Sequence, residues 1–103
     1  MKYHFRAGRG KNIYIDDSST FEDLGFAILR EYDIDPDHLF LFQFENGDST
    51  DSASPFGPMH DGLGTVPVDS PIKKRKMKTG ETLVFVYDLG SEWTRKVKLV
   101  GIE

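Results

Sequence analysis

The alternation of apolar and polar residues predicts strands near both ends of the chain and in its middle. Residues 3–7 (YHFRA) and 13–15 (IYI) flank the reversal GRGKN and predict an opening hairpin. Residues 38–44 (HLFLFQF) carry apolar side chains on both faces, which is typical of a central strand. Residues 82–89 (TLVFVYDL) and 93–102 (WTRKVKLVGI) predict a closing pair of strands around the turn GSE.

A helix is predicted over residues 20–32, between the opening hairpin and the central strand. Thr20 or the serine before it is the expected N-cap, and two carboxylates follow in the first turn. Gly25 weakens the helix by about 1 kcal/mol relative to alanine, and we expect it to let a strand approach closely. The buried face is expected to be formed by side chains at helical spacing: Phe21, Leu24 and Ile28.

Residues 45–71 predict a long flexible loop. The segment is rich in Gly, Ser, Asp and Pro and shows no sustained hydrophobic period. A short ordered piece is expected at residues 65–68. Residues 46–64 are expected to be the most mobile part of the chain, because their composition buries too little apolar surface to offset the entropy of ordering.

These elements predict a single domain of the α+β class over residues 1–103. The expected architecture is one mostly antiparallel sheet with one main helix across one face, in the order β-β-α-β-(long loop)-β-β. A β-grasp-like arrangement is the familiar architecture that resembles this order. The length of 103 residues fits one domain, and an aromatic content of 13% supplies large side chains for its core.

The chain contains no cysteine, which excludes disulfides, thiolate metal sites and a cysteine nucleophile. The same absence is typical of cytoplasmic proteins. No apolar run approaches the roughly 20 residues that span a bilayer, and the N-terminal sequence lacks the apolar region of a signal peptide. We therefore expect a cytoplasmic protein with no membrane contact.

The sequence YDLGSEW near the C-terminus has a structural and a functional interpretation. Tyr87 and Trp93 flank a tight reversal and are expected to pack as a cross-strand aromatic pair. Asp88 is expected to accept hydrogen bonds from amides of the turn, and Gly90 to supply a positive φ. In the functional interpretation Asp88, Glu92 and Trp93 lie at the rim of a pocket.

The segment LVFVYDLGSEW, followed by alternating basic and apolar residues, resembles the signature of the plasmid pRiA4b ORF-3-like family. That signature reads tyrosine-aspartate-phenylalanine-glycine-aspartate-x-tryptophan, and the family also has a helix followed by a histidine-leucine strand. In this chain the helix corresponds to FEDLGFAILREYDID and the histidine-leucine strand to DHLFLFQF. The second correspondence adds His38 to the candidate site. The chain departs from the signature at Leu89 and Ser91, and Arg95 stands where histidine is common. The resemblance implies an association with mobile elements but no settled biochemical activity.

Charge is unevenly distributed along the chain. The net charge is −4, but residues 1–72 carry −8 and residues 73–103 carry +4. Basic residues that share one surface can bind nucleic acid by neutralising phosphates, whereas scattered ones form an ordinary solvated face. Strand alternation places two of the candidates together. The candidate patch is Lys73, Lys74, Arg75, Lys76, Arg95, Lys96 and Lys98.

No motif for catalysis, metal binding or nucleotide binding is present. GRGKN lacks the spacing of a P-loop, and no serine sits in a nucleophile elbow. The acidic stretches DPDH and ENGDSTD do not fit a calcium loop, and no histidine pair has the spacing of a zinc site. We therefore predict no catalytic, cofactor-binding or metal-binding residue and no cofactor.

Three functions remain open. The first is a non-catalytic protein-interaction module that binds a protein partner through a sheet edge or the long loop. The second is a nucleic-acid accessory protein of a mobile element that uses the basic patch. The third is a small metal-dependent hydrolase with Asp88, Glu92 and His38 near one pocket.

Overall fold

The described part of the chain forms seven β-strands, one α-helix and one short 3-10 helix. The computed structural model describes residues 1–62 and 64–103. The strands are β1 (Lys2–Ala7), β2 (Lys11–Asp16), β3 (Phe40–Phe44), β4 (Ala53–Ser54), β5 (Gly57–Pro58), β6 (Thr82–Tyr87) and β7 (Trp93–Ile102). The α-helix is α1 (Phe21–Glu31), and the 3-10 helix is Ile72–Arg75. The predicted positions of α1 and of the five longer strands are confirmed.

All seven strands belong to one antiparallel sheet in the order β2-β1-β7-β6-β3-β4-β5. The predicted β-grasp-like arrangement, with one helix across one face of a single sheet, is wrong. Strands β2 and β3, which α1 connects, are not neighbours, because β1, β7 and β6 lie between them. Strands β4 and β5 then extend the sheet beyond β3.

Helix α1 shows how strongly the sheet is curved. It packs against both β2 and β3. In a flat sheet these strands would be about 19 Å apart, which exceeds the diameter of about 10–12 Å of a helix with its side chains. The sheet therefore curls around α1 as a half-barrel, with an inner face toward α1 and an outer face toward solvent. The largest buried side chains of the inner face are Phe5, Phe40, Phe42, Leu83, Phe85 and Leu99.

A capping box starts α1. Asp23 N donates to the Thr20 hydroxyl at 3.1 Å, and Thr20 N donates to the Asp23 carboxylate at 3.0 Å. Phe21, Leu24 and Ile28 are fully buried, which confirms the predicted apolar face. Among the described residues, no helix is both long and apolar enough to cross a membrane.

The segment predicted as a long loop contains strands and buried polar residues. β4 pairs with β3 through Ala53 and Phe40, and β5 pairs with β4. Thr50 is fully buried; its backbone N donates to Phe42 O at 2.8 Å, and its hydroxyl accepts from Phe42 N at 3.0 Å. The loop prediction is wrong here because STDSAS joins the sheet through hydrogen bonds, without the large apolar side chains that signal a strand. Leu63, in the same segment, lies outside the described residues.

The mobility of this segment stays a prediction. The structure now indicates which of its amides should exchange slowly and which quickly. The amides of Thr50 and Asp51, which donate to Phe42 O and Val66 O, should exchange slowly with solvent, because both residues are buried. The amide of Asn46, which is exposed at the start of this segment, should exchange quickly. Hydrogen exchange followed by NMR measures both. Uniformly fast exchange over residues 46–62 would contradict the hydrogen bonding described here.

Candidate functional site

The turn of the β6–β7 hairpin contains two residues with left-handed backbone. Asp88 has φ of 57° and Glu92 has φ of 54°, whereas Gly90 is outside this region. The prediction that Gly90 supplies the positive φ is therefore wrong. Aspartate tolerates this conformation because its short side chain can bond locally, and Asp88 Oδ1 accepts from Ser91 N at 3.5 Å. The predicted hydrogen bonding of Asp88 to the turn is confirmed.

Tyr87 ties this hairpin to the segment that follows α1. Its side chain is buried, and its hydroxyl donates to Asp35 O at 2.6 Å and accepts from Asp37 N at 3.0 Å. The His38 ring packs edge-on against Tyr87 with a centroid distance of 5.8 Å. Asp88 N also donates to Leu39 O at 2.8 Å. The tyrosine of the YDLGSEW sequence is thus engaged in holding two segments together.

Trp93 lies at the centre of an aromatic and cationic cluster on the inner face. Tyr87 is its direct cross-strand partner, and the two rings meet edge-to-face at 6.3 Å, which confirms the predicted pair. The Tyr32 ring meets Trp93 in the same geometry at 5.3 Å. The Arg95 guanidinium lies over the indole at 3.9 Å. Trp93 is half-buried, and these contacts support its structural interpretation.

The structure brings His38 next to Asp88, and Glu92 lies at the other end of the same turn. His38 Nε2 is 3.9 Å from Asp88 Oδ2, and both side chains are accessible to solvent. The pKa of Asp88 is lowered mainly by a hydrogen bond from the Ser91 side chain, and the electrostatic interaction with His38 lowers it further. A carboxylate with a lowered pKa is poorly matched to general acid-base catalysis at neutral pH.

Two clefts lie elsewhere on the molecule. One, of about 450 Å³, adjoins the C-terminal end of α1 and is lined by Phe26, Leu29, Arg30, Asp33, Ile34, Asp35 and Pro36. The other, of about 330 Å³, is lined by Glu45, Asn46, Arg75 and Glu81. None of His38, Asp88 and Glu92 lines either cleft, so the hydrolase interpretation gains no support from them.

His60 lies between two carboxylates of residues 45–71, the segment that was predicted as a loop. Its ring nitrogens are each 3.8 Å from a carboxylate oxygen, Nδ1 from Asp51 and Nε2 from Asp69. Asp51 is buried and already accepts from Val68 N at 2.7 Å. In the described part of the chain, no three His, Asp or Glu residues are placed to hold a metal ion together.

The seven residues of the predicted basic patch lie on different surfaces. Lys96 and Lys98 are exposed on the outer face of β7, but Arg95 points to the inner face, where it stacks on Trp93. On the 3-10 helix, Arg75 lies over the Phe44 ring at 4.0 Å and donates to Asn46 Oδ1 at 3.1 Å. The other three members, Lys73, Lys74 and Lys76, are exposed on or just after that 3-10 helix.

Two surface features escaped the sequence-based prediction. Phe56, at the tip of the β4–β5 hairpin, is 99% exposed, and Met59, directly after β5, is 48% exposed. On the outer face, Arg6 lies directly across from Lys98. The alternation in YHFRA already placed Arg6 on one strand face, but only the pairing of β1 with β7 shows which residue faces it. Nothing in SPFGP distinguishes an exposed phenylalanine from a buried one.

The comparison with known proteins shows the fold alone. No family model matches the chain, and no curated protein matches it. The crystal structure of a protein of unknown function from Methanosarcina mazei Go1, MM3350, is similar with a TM-score of 0.66 and 24% sequence identity. The match covers 97% of this chain and 60% of that protein, so this chain spans about three fifths of its length.

Proposed function

We propose that the chain is a cytoplasmic protein-interaction module that contacts its partner through the tip of the β4–β5 hairpin. The observation that carries this proposal is the 99% exposure of Phe56. Burying a phenylalanine side chain is worth about 1.5–3 kcal/mol, so a partner with an apolar pocket would gain this free energy. Met59, directly after β5, is a second exposed apolar residue of this segment.

The hairpin that carries Phe56 is held in a defined conformation. The Ser54 hydroxyl donates to Gly57 O at 3.0 Å and accepts from Phe56 N at 3.1 Å. Gly57 has φ of 126°, which only glycine adopts readily. A preorganised tip loses less conformational entropy on binding than a flexible loop does. β5 also ends the order of strands in the sheet, and sheet edges can pair with a partner strand.

The resemblance to the plasmid pRiA4b ORF-3-like family stays part of this proposal. Its support is the hairpin sequence LVFVYDLGSEW together with the helix and strand that precede it. The family supplies a genomic context of plasmids and mobile elements for the partner. It supplies no settled biochemical activity.

Site-specific photo-crosslinking tests the proposal. A photoreactive phenylalanine analogue at position 56, in cells that make the protein, should give one discrete adduct with a protein, and excess unlabelled wild-type chain should suppress it. The same analogue at position 14 is the matched control, because Tyr14 is also an exposed aromatic residue, on the outer face. Absence of an adduct at position 56, or the same adduct from both positions, would overturn the proposal.

The identified partner then allows a quantitative prediction. Phe56→Ala should weaken binding by about 30-fold or more, the loss typical of an interface hot spot of at least about 2 kcal/mol. Tyr14→Ala should leave the affinity unchanged. Isothermal titration calorimetry measures both constants, and an unchanged affinity for Phe56→Ala would contradict the assignment of the tip as the contact.

A further inference from the structure

The outer face of the sheet carries two cations in direct cross-strand register. Arg6 on β1 lies opposite Lys98 on β7, and both side chains are exposed. Like charges directly opposite one another destabilise a sheet. Among the ion pairs of residues 1–62 and 64–103, none includes Arg6, Lys96 or Lys98. The two cations therefore repel each other, and no ion pair of the described residues offsets this repulsion.

A third cation extends this charged surface. Lys96 is two residues before Lys98 on the same strand face and lies opposite Val84 of β6. The next outer-face position on β6, Thr82, faces Lys98, and its hydroxyl donates to the Glu45 carboxylate at 2.9 Å. Hydrogen bonds from Ser18 and Thr82 lower the pKa values of Asp16 and Glu45, so these two carboxylates stay charged at neutral pH and lie at the β2 and β3 sides of the surface. The centre of the outer face is thus cationic although the whole chain is acidic.

An exposed aromatic ring adjoins the cations. Tyr14 on β2 is 56% exposed and lies opposite His4, one diagonal step from Arg6. The rings of Tyr14 and His4 stack with a centroid distance of 4.3 Å and an interplanar angle of 20°. His4 Nε2 forms a hydrogen bond with Asn12 Oδ1 at 2.8 Å, which holds the pair in place. The aromatic surface is therefore built into the sheet.

We propose that this outer surface, formed by Arg6, Lys96, Lys98, His4 and Tyr14, binds single-stranded nucleic acid. Cations that neutralise phosphates beside an aromatic ring that stacks on a base are the combination by which proteins bind single strands. Tyr14 and Lys98 are two strand spacings apart and offset by two residues along the strands, about 12 Å in all, which a nucleotide chain spans and a free phosphate does not. The surface keeps Lys96 and Lys98 of the sequence-based patch and replaces its other members.

Salt dependence of the affinity counts the phosphates that this surface contacts. Three phosphate contacts on a single strand predict a slope of about −2 in a plot of log K against log salt concentration. Fluorescence anisotropy with a labelled mixed-sequence single strand of about 12 nucleotides measures this slope. The wild-type chain should bind the single strand at low salt and bind the same sequence as a duplex more weakly, because stacked base pairs are unavailable to Tyr14.

Charge-neutralising variants locate the contact. Arg6→Gln/Lys98→Gln should weaken binding at least tenfold and reduce the slope to about −1 or shallower, because two phosphate contacts are lost. Lys73→Gln/Lys74→Gln is the matched control; it removes the same charge from the 3-10 helix and should leave affinity and slope unchanged. Equal loss in both double variants would overturn the proposal, as would no binding of wild type at low salt.

Tyr14→Ala separates the contribution of base stacking to the binding affinity from the contribution of charge. It should weaken single-strand binding by about tenfold, within the range for loss of one base-aromatic stack, without changing the salt slope. An unchanged affinity would mean that the surface binds polyanions by charge alone, which contradicts the proposal. Phe56→Ala should bind the oligonucleotide as wild type does, so this test is independent of the proposed protein interaction. Circular dichroism of each variant should match wild type, because the substituted side chains are exposed or lie outside the core.

Discussion

Trp93→Ala is expected to lower the free energy of unfolding by about 3 kcal/mol. This is the low end of the range for deleting a large aromatic side chain, because Trp93 is half-buried. The ring contacts Tyr32 just after α1 and Phe85 and Tyr87 on β6, so its loss loosens the helix and the hairpin together. Urea unfolding followed by far-ultraviolet circular dichroism measures the change.

Two milder substitutions in the same cluster, one at Trp93 and one at Arg95, provide the controls. Trp93→Phe keeps an aromatic edge against Tyr32 and should lower stability by less than about 1.5 kcal/mol. Arg95→Ala removes the cation over the indole and should lower it by about 0.5–1 kcal/mol. A Trp93→Ala variant with wild-type stability would contradict the structural role. If that variant also lost a binding partner, the β6–β7 hairpin would be a recognition site.

Gly25→Ala is expected to destabilise the protein by about 1–3 kcal/mol, although alanine is the better helix former. A Cβ at Gly25 would lie 2.8 Å from Phe40 Cδ1 and closer still to Cε1 and Cζ. The Phe40 ring is fully buried and packs against Phe26 at 5.2 Å and Phe85 at 5.3 Å, so it has no room to retreat. Thermal and urea unfolding of the variant measure the loss.

A double-mutant cycle tests the cause of that loss. Phe40→Leu alone should destabilise the protein, because it removes aromatic contacts from the core. In the Gly25→Ala/Phe40→Leu variant the new methyl group meets a smaller side chain, so the total loss should be smaller than the sum of the two single losses by about 1 kcal/mol. Strict additivity would show that the methyl group does not contact Phe40. Gly25→Ala at or above wild-type stability would contradict the close packing of α1 on β3.

Gly25 illustrates which features of α1 the local sequence patterns could predict. The helical spacing of Phe21, Leu24 and Ile28 predicted the buried face of α1, and an interior glycine suggested close approach of a strand. Both predictions are confirmed, because a helix repeats its own geometry and needs only one neighbour to bury its face. The identity of the ring over Gly25 came only from the tertiary structure.

These local patterns could not predict how the strands are arranged in the sheet. The β-grasp-like prediction failed because alternation identifies a strand without identifying its partner. β1 pairs with β7, whose residues are about ninety positions away in the chain. STDSAS was missed for a related reason: Thr50 and Asp51 enter the fold through hydrogen bonds with β3 and with residues 66–68, and small polar side chains carry no hydrophobic signal.

The sequence by itself determined where α1 and the five longer strands lie, and that Tyr87 pairs with Trp93, because these features depend on periodicity and on residues close in the chain. Alternation also placed Lys96 and Lys98 on one strand face, but only the tertiary structure decided which other charges share that surface. Arg95 turned inward to stack on Trp93, whereas Arg6 and Lys98 came face to face on the outer face. The physical reason is that the curl of the sheet and its non-local pairing separate neighbours in the chain and bring distant residues together.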